Sequence, residues 1–394
     1  MKQELHPIKN ILIIGNGSWG STICGMLQET ERYPEEKGFV NPYYNICICG
    51  PEMKGNRPML DGNGNAVWDE KYFCDAEKAD LAIFAVPSAY MRATAASFAP
   101  RLREDCYILN LAKGIVYDEE ENDIFLMHEV LSDEMKSDKW IASLAGPNIA
   151  KEIRHTPFRP TITSIGTLYS NKQYHKLLRE AFTVYRFTTL QDSPDILGLE
   201  LSSALKNVIA FASGVVHGYY EAEAGCGFDP LIMNVIGSLI HIGPQEFEYM
   251  YHRIAYSKGY KGRIPYVSLG DLVTTALSRN SRNFKAGYIR GQCQMKGESR
   301  SIEEICSYVG EAVESVTTTK SLANYFEEKE WSEDFIVFKN IFKVMHDQIH
   351  IEEALDHLSE GHPRISRLLD VLEVRAQRNH ERKKRKTEIR EKEN

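Results

Sequence analysis

The fold of this chain is decided by the run Ile11-Leu12-Ile13-Ile14-Gly15-Asn16-Gly17-Ser18-Trp19-Gly20. An apolar strand is followed directly by a Gly-x-Gly-x-x-Gly turn, and residues 21–29 suit a helix. In this setting the first glycine permits a tight turn, the second lets a phosphate approach the backbone, and the third lets helix and strand pack closely. The helix N-terminus adds free N–H groups and a positive dipole. The run therefore predicts a dinucleotide site over residues 15–20; the alternative is a glycine-rich turn with no ligand.

Further apolar runs follow the glycine turn at intervals long enough for helices. They lie at residues 45–49, 81–86, 107–111 and 141–145. Continuous apolar runs, without alternation, suit strands that are covered on both faces, and intervening helices imply βαβ units. We therefore predict a Rossmann-type, mainly parallel sheet, which residues 161–165 and 183–188 extend.

The pattern becomes helical after residue 191. Ser193-Pro194-Asp195 suits a helix start, with serine as the cap, proline at the first helical position and aspartate complementing the dipole. Amphipathic stretches follow at residues 231–240, 302–319 and 335–348. We predict an α/β domain over residues 1–192, an all-α domain over residues 193–375 and a charged tail over residues 376–394, with a ligand cleft between the two domains.

The composition excludes several classes of protein. Of the 394 residues, 43% are hydrophobic and 26% are charged, which is typical of globular domains. A net charge of −8 argues against nucleic acid as the main partner, and no segment predicts a transmembrane helix or a signal peptide. The eight cysteines form no Cys-x-x-Cys pair, which indicates reduced thiols and a cytoplasmic location. The basic run at residues 382–386 predicts a solvated tail; a weak contact with a membrane surface or nucleic acid is the alternative.

Five later segments carry a family resemblance. In order, they are Asn110-Leu111-Ala112-Lys113-Gly114, Leu144-Ala145-Gly146-Pro147-Asn148-Ile149-Ala150-Lys151-Glu152, Ser203-Ala204-Leu205-Lys206-Asn207-Val208-Ile209-Ala210, Leu269-Gly270-Asp271-Leu272-Val273-Thr274-Thr275 and Ser281-Arg282-Asn283. Together with the glycine turn and its tryptophan, they resemble the NAD(P)-dependent glycerol-3-phosphate dehydrogenases over roughly residues 10–345.

The resemblance implies an oxidoreductase that interconverts sn-glycerol 3-phosphate and dihydroxyacetone phosphate with NAD or NADP. It further implies a phosphorylated small-molecule substrate, a homodimer, and a helical domain of the 6-phosphogluconate dehydrogenase C-terminal type. The choice between NAD and NADP stays open. Glu52, after the second strand, suits a ribose hydroxyl, whereas Lys54 and Arg57 suit a 2′-phosphate, and all three also suit solvent.

Lys206 is the candidate proton carrier. It lies in an otherwise apolar stretch, and burial lowers the pKa of a lysine toward the range that suits a general acid or base. The alternative is a surface lysine that extends to solvent. The resemblance assigns the acid/base role to Lys206. The resemblance also implies that Lys113 stabilises negative charge on the reacting oxygen and that Asp271 orients Lys206.

The resemblance also distributes the binding contacts. Arginine and asparagine suit a phosphate, and Asp271 and Thr275 share one face if their segment is helical. The substrate contacts it implies are Lys113, Gly146, Asn148, Lys206, Asn207, Asp271, Thr275, Ser281, Arg282 and Asn283. The cofactor contacts it implies are Gly15, Asn16, Gly17, Ser18, Trp19, Gly20, Lys113, Ala150, Arg282 and Glu314. Arg279 has no counterpart in the family and is interpreted as a solvated charge.

The chain departs from the family pattern after Lys206. His217 stands where an acidic residue is usual, Gly237-Ser238 stands where Arg-Gly is usual, and residues 225–230 differ. We interpret His217 as a structural histidine, with contact to an altered substrate as the alternative. Two other functions stay open at this point: reduction of a different phosphorylated or anionic ketone, and a non-catalytic dinucleotide sensor.

Overall fold

The structure is a computed structural model, and it describes most of the chain. The described residues are 5–28, 44–54, 57–59, 67–69, 71–137, 140–155, 161–167, 172–182, 187–193, 195–225, 232–259, 264, 267–310 and 312–359. The charged tail predicted at residues 376–394 lies outside them, as do residues 226–230 of the divergent segment.

The first half contains the predicted sheet. Its strands are β1 (Asn10–Ile14), β2 (Asn45–Cys49), β3 (Met53–Lys54), β4 (Arg57–Pro58), β5 (Leu81–Phe84), β6 (Tyr107–Asn110), β7 (Ile115–Asp118), β8 (Asp123–Leu126), β9 (Ile141–Ala145), β10 (Thr161–Thr167) and β11 (Phe187–Ser193). Seven of them form one sheet in the order β11-β10-β9-β6-β5-β1-β2, in which only the β9–β10 pairing is antiparallel. The mainly parallel Rossmann-type sheet is therefore confirmed. The strand order reverses at β1, so the glycine turn lies at a switch point, where such sheets bind ligands.

Helices cover the sheet and then form the second half. They are α1 (Ser18–Gln28), α2 (Lys71–Ala76), α3 (Met91–Phe98), α4 (Met127–Met135), α5 (Ala150–His155), α6 (Lys172–Phe182), α7 (Ile196–Ala224), α8 (Met233–Ser257), α9 (Val267–Leu277), α10 (Arg282–Lys296), α11 (Ile302–Val309), α12 (Glu314–Glu328), α13 (Ile336–Met345) and α14 (Ile351–Ser359). Two apolar clusters lie against the sheet, and a third fills the helical half around α7. The expected combination of an α/β part and an all-α part is confirmed.

Two predicted details of the helices are wrong. Ser193 ends β11, and the cap of α7 is Asp195, whose side chain accepts from Gly198 N at 3.0 Å. An aspartate carboxylate caps a helix as well as a serine hydroxyl does, and α7 begins two residues later than a cap at Ser193 would place it. The single stretch expected at residues 302–319 is two helices, because Gly310 adopts φ +77° and ends α11.

Helix α7 is the centre of the second half. It is long and apolar enough to span a membrane by length and composition, but its apolar window is wholly buried within the protein. Glycines let α10 lie directly against it. A Cβ added to Gly214 would come within 2.1 Å of Phe284 O, and one added to Gly287 within 1.9 Å of Phe211 O. The two helix backbones are therefore in contact, which places the start of α10 beside α7.

Candidate functional site

The glycine turn has the geometry of a phosphate-binding loop. Gly15 adopts φ +116°, and a Cβ there would come within 2.6 Å of Ala85 O. A Cβ on Gly20 would come within 1.9 Å of Gly15 O, so the first and third glycines are required by the protein's own packing. A Cβ on Gly17 would meet no atom within 4 Å among the described residues. The second glycine therefore faces open space above the N-terminus of α1, where a pyrophosphate fits.

A basic side chain that sequence reasoning missed lies at this loop. Arg154, on α5, donates from Nη2 to the Ser18 hydroxyl at 2.8 Å, and Ser18 is the first residue of α1. Ala150 begins the same helix, so a spacing of four residues puts Arg154 on the face of Ala150. That spacing was readable in the sequence, but nothing in it showed that α5 packs beside the glycine turn.

The two candidate lysines meet at one carboxylate. Lys206 Nζ donates to Asp271 Oδ1 and, at 2.8 Å, to Thr275 Oγ1. Lys113 Nζ donates to Asp271 Oδ2 at 2.9 Å and to Gly146 O at 3.1 Å. Asp271 and Thr275 lie one turn apart on α9, so the expectation that they share a helical face is correct. Lys113 follows β6 and Gly146 follows β9, at the edge where parallel strands end.

The electrostatics of this cluster suit proton transfer near neutral pH. Lys206 is only 5% exposed, and burial lowers its pKa to about 7. The Asp271 carboxylate opposes that shift, whereas the positive charge of Lys113 adds to it. A lysine with this pKa is present in both protonation states near neutrality, which is the requirement for a general acid/base.

The other substrate candidates lie on α7 and at the start of α10. Asn207 follows Lys206 on α7 and is buried. Ser281 caps α10 by accepting from Phe284 N at 3.4 Å, and Arg282, the first residue of that helix, is exposed. The Asn283 side chain accepts from Ser315 N at 2.9 Å, which fixes its amide at the start of α12.

One cofactor candidate, Glu314, contacts the loops that follow β5 and β6. The Glu314 carboxylate accepts from Ser88 N at 3.3 Å and from the Ser88 hydroxyl, and a Cβ on Gly114 would come within 3.0 Å of Glu314 Oε2. Burial raises the pKa of Glu314, while Ser88 and the charge of Arg282 lower it in part. Helix α12 thus begins against the loop that carries Lys113. Ser88 had no signal in the sequence.

The loop after β9 is fixed from the neighbouring strand. Asn148 Nδ2 donates to Thr163 Oγ1 at 3.2 Å, and its Oδ1 accepts from Thr161 Oγ1 at 3.0 Å. Gly146 packs so closely that an added Cβ would lie 2.7 Å from Ile162 O. The threonines of β10 therefore set the path of the chain from Gly146 to Ala150.

The divergent histidine faces the protein interior. The His217 side chain is 7% exposed, its Nδ1 is 3.5 Å from Glu221 Oε1, and its ring centroid is 5.2 Å from that of Phe284. Burial lowers the pKa of His217, and Glu221 opposes that shift. These contacts favour the structural interpretation. Arg279 is not a simple solvated charge, because it forms an ion pair with buried Glu221, which also accepts from Tyr288 Oη at 2.9 Å.

The chain is similar to known proteins over most of its length. Residues 66–172 match the family described as NAD-dependent glycerol-3-phosphate dehydrogenase N-terminus, and residues 195–356 match its C-terminus. The chain is 24% identical over 353 residues to glycerol-3-phosphate dehydrogenase [NAD(P)+] of Saccharophagus degradans, covering 89% of this chain and 88% of that one. It is 28% identical over 353 residues to the protein of the same name from Streptococcus sanguinis, covering 88% and 94%.

Solved structures share the fold. A glycerol-3-phosphate dehydrogenase from Coxiella burnetii superposes with a TM-score of 0.66 at 21% identity, over 90% of this chain and 99% of that one. The yeast enzyme of the same description, from Saccharomyces cerevisiae, superposes with a TM-score of 0.67 at 18% identity, over the same shares. Both likenesses show the architecture.

Proposed function

The chain belongs to the NAD-dependent glycerol-3-phosphate dehydrogenase family, and we propose that it interconverts sn-glycerol 3-phosphate and dihydroxyacetone phosphate with NAD or NADP. It is an NAD(P)-dependent oxidoreductase that acts on a CH–OH group. The observation that carries the residue assignment is the buried cluster in which Lys206 and Lys113 share the carboxylate of Asp271. A dinucleotide sensor has no need of such a cluster.

The proton steps follow from that cluster. A bound nicotinamide supplies the hydride in reduction and takes it up in oxidation. During reduction, the Lys206 ammonium donates a proton to the ketone oxygen as negative charge develops there; in oxidation, the neutral amine takes the proton from the hydroxyl. Asp271 accepts hydrogen bonds from both lysines and so orients them. Lys113 places a second positive charge where the oxyanion forms.

Cofactor binding falls to the glycine turn and its neighbours. Gly17 leaves the backbone of the loop accessible, and the N-terminus of α1 favours negative charge. Arg154 adds a guanidinium beside Ser18, suited to a pyrophosphate. The family resemblance adds Ala150, the first residue of α5, and Glu314, the first residue of α12, to the cofactor site.

Substrate phosphate binding falls to the turn between α9 and α10. Arg282 is exposed and can offer paired donors, and Asn207 and Thr275 lie beside Lys206. Replacing Arg282 by alanine should raise KM for dihydroxyacetone phosphate about tenfold or more, since a hydrogen bond between charged groups contributes about 1.5–3 kcal/mol. A kcat loss with an unchanged KM would contradict this assignment.

The direct test is oxidation of reduced nicotinamide with dihydroxyacetone phosphate, followed by absorbance, using NADH and NADPH in parallel. We expect turnover with at least one of them, and the ratio of kcat/KM values decides the cofactor preference. Measurable cofactor binding with no turnover in either case would refute the proposed activity. From the family resemblance we also expect a homodimer in the cytoplasm, and sedimentation of the purified protein tests the first of these.

A further inference from the structure

A buried carboxylate on α7 extends into the sheet half of the protein. Glu200 is 4% exposed, and His128, on α4, is 0% exposed. Glu200 Oε2 is 2.8 Å from His128 Nδ1 and accepts from His128 N at 3.1 Å. Glu200 Oε1 accepts from Asn110 Nδ2 at 2.8 Å and from the Ser143 hydroxyl. One side chain of α7 thus binds three elements of the other half.

Two of these partners lead directly to the Lys113 site. Asn110 ends β6, and its side chain binds both backbone polar groups of Ala112. Its Oδ1 accepts from Ala112 N at 2.8 Å, and its Nδ2 donates to Ala112 O at 3.2 Å. Lys113 is the next residue. Ser143 lies on β9, the strand that leads to Gly146, whose carbonyl accepts from Lys113.

The third partner gives the network its charge. Burial lowers the pKa of His128, but Glu200 outweighs that effect and the net shift is upward; Glu129 also raises it and Lys258 lowers it. Burial raises the pKa of Glu200, but His128 and the hydroxyl of Ser143 bring it below its ordinary value. A buried ion pair of this kind gains little stability over apolar packing, so its value lies in the geometry that it fixes.

We propose that Glu200 is a positioning residue that fixes the helix of Lys206 against the loop of Lys113, and thereby sets how the two lysines share Asp271. Its consequence for catalysis rests on the proposed function. The argument from position does not, because α7 carries both Glu200 and Lys206. Glu200 contacts Asn110, at the end of the strand before Lys113, and Ser143, on the strand before Gly146.

The test is Glu200→Gln, which keeps the shape of the side chain. The substitution replaces one carboxylate oxygen, an acceptor, by an NH₂ group, which then faces the donors that the oxygen had bound. With the loop of Lys113 no longer fixed, its positive charge withdraws from Lys206, so the pKa of Lys206 should rise from about 7 by about one unit. The pKa is read in the ligand-free protein by NMR titration of ¹³C-dimethylated lysines, with Lys206→Met identifying the signal. For the proposed reaction, kcat should fall about tenfold or more, while the cofactor Kd stays within about twofold.

A matched control separates positioning from loss of stability. Glu246 is also buried, and its carboxylate accepts from Val337 N at 2.8 Å and from Phe338 N at 2.9 Å at the start of α13. Glu246→Gln should lower the unfolding temperature without moving the pKa of Lys206. Should Glu200→Gln fail to fold, Ser143→Ala removes one donor and should shift that pKa in the same direction by less.

The outcomes are distinct. An unshifted Lys206 pKa in whichever of these variants folds would overturn the positioning role. A shift equal to that of the Glu246→Gln control would overturn it too. The NMR readout needs no substrate, so an enzyme inactive toward dihydroxyacetone phosphate would refute the proposed function and leave this result standing.

Discussion

Replacing Asp271 by asparagine isolates the electrostatic part of the site. The amide keeps an oxygen acceptor for Lys206 and nearly the same volume, but it removes the negative charge that both lysines contact. In the wild-type protein, burial and the charge of Lys113 lower the pKa of Lys206, whereas the Asp271 carboxylate raises it. Without that carboxylate only the lowering influences are left. The pKa of Lys206 must therefore fall.

The size of the fall can be worked from the contact. Opposite unit charges with centres about 4 Å apart interact by about 4 kcal/mol at an effective dielectric constant of about 20. Since one pKa unit corresponds to about 1.4 kcal/mol, the shift is about two to three units. Lys206 has a wild-type pKa of about 7. At pH 7 the protonated fraction, and with it the rate of ketone reduction, should fall roughly 100-fold.

The assay is a pH series of initial rates in both directions at saturating substrate. Reduction needs protonated Lys206, so its rate declines as pH rises through that pKa, and the decline should move to lower pH in Asp271→Asn. Oxidation needs the neutral amine, so its rate increases with pH, and this increase should also move to lower pH in Asp271→Asn. Asp347→Asn is the control, because that carboxylate lies 3.5 Å from Arg290 in the helical half. A profile for Asp271→Asn that superposes on the wild-type curve would refute the reasoning.

Three further changes test separate parts of the site. Lys206→Ala should lose turnover by roughly 100-fold or more while binding cofactor normally in a fluorescence titration, and normal turnover would contradict its proton role. Arg154→Ala should weaken ADP-ribose binding about tenfold and leave adenosine binding unchanged. Lys151→Ala, which removes an exposed cation of the same helix, should change neither affinity. Equal losses in both variants would exclude a specific contact between Arg154 and the pyrophosphate. Gly17→Ala should fold normally but weaken cofactor binding. Gly25→Ala, where the added methyl group on α1 also meets no neighbouring atom, should leave cofactor binding unchanged. Equal affinities of the two variants by calorimetry would exclude contact between the cofactor and Gly17.

Most of the fold was predictable because its signals are local. Apolar runs such as the one ending at Ile14 mark buried strands whatever surrounds them, and the glycine turn carries its own steric reasons. The misassigned cap at Ser193 shows the limit. Serine and aspartate both cap helices, and only the end of β11 decides which of them stands at the boundary.

The site was predictable only in part. Lys206 stood out because a lysine in an apolar run needs an explanation, and Asp271 with Thr275 had helical spacing. Arg154, Ser88 and the partners of Glu200 gave no such signal, because their roles arise from contacts between segments far apart in the chain. Arg279 was misjudged for the same reason, since it lies in the turn before α10 and its partner Glu221 lies on α7, 58 residues earlier in the chain.

The contact of α7 with α10 fixes the distance between these two helices. A Cβ on Gly218 would fall 2.0 Å from Tyr288 O, and one on Gly291 would fall 2.1 Å from Val215 O, so main chain rests on main chain. The spacing between α7 and α10 is therefore set by the thickness of a polypeptide backbone, which no side-chain substitution can shorten. A larger side chain at any of these glycines would force the two helices apart, so the position of α10 relative to α7 is a property of the scaffold.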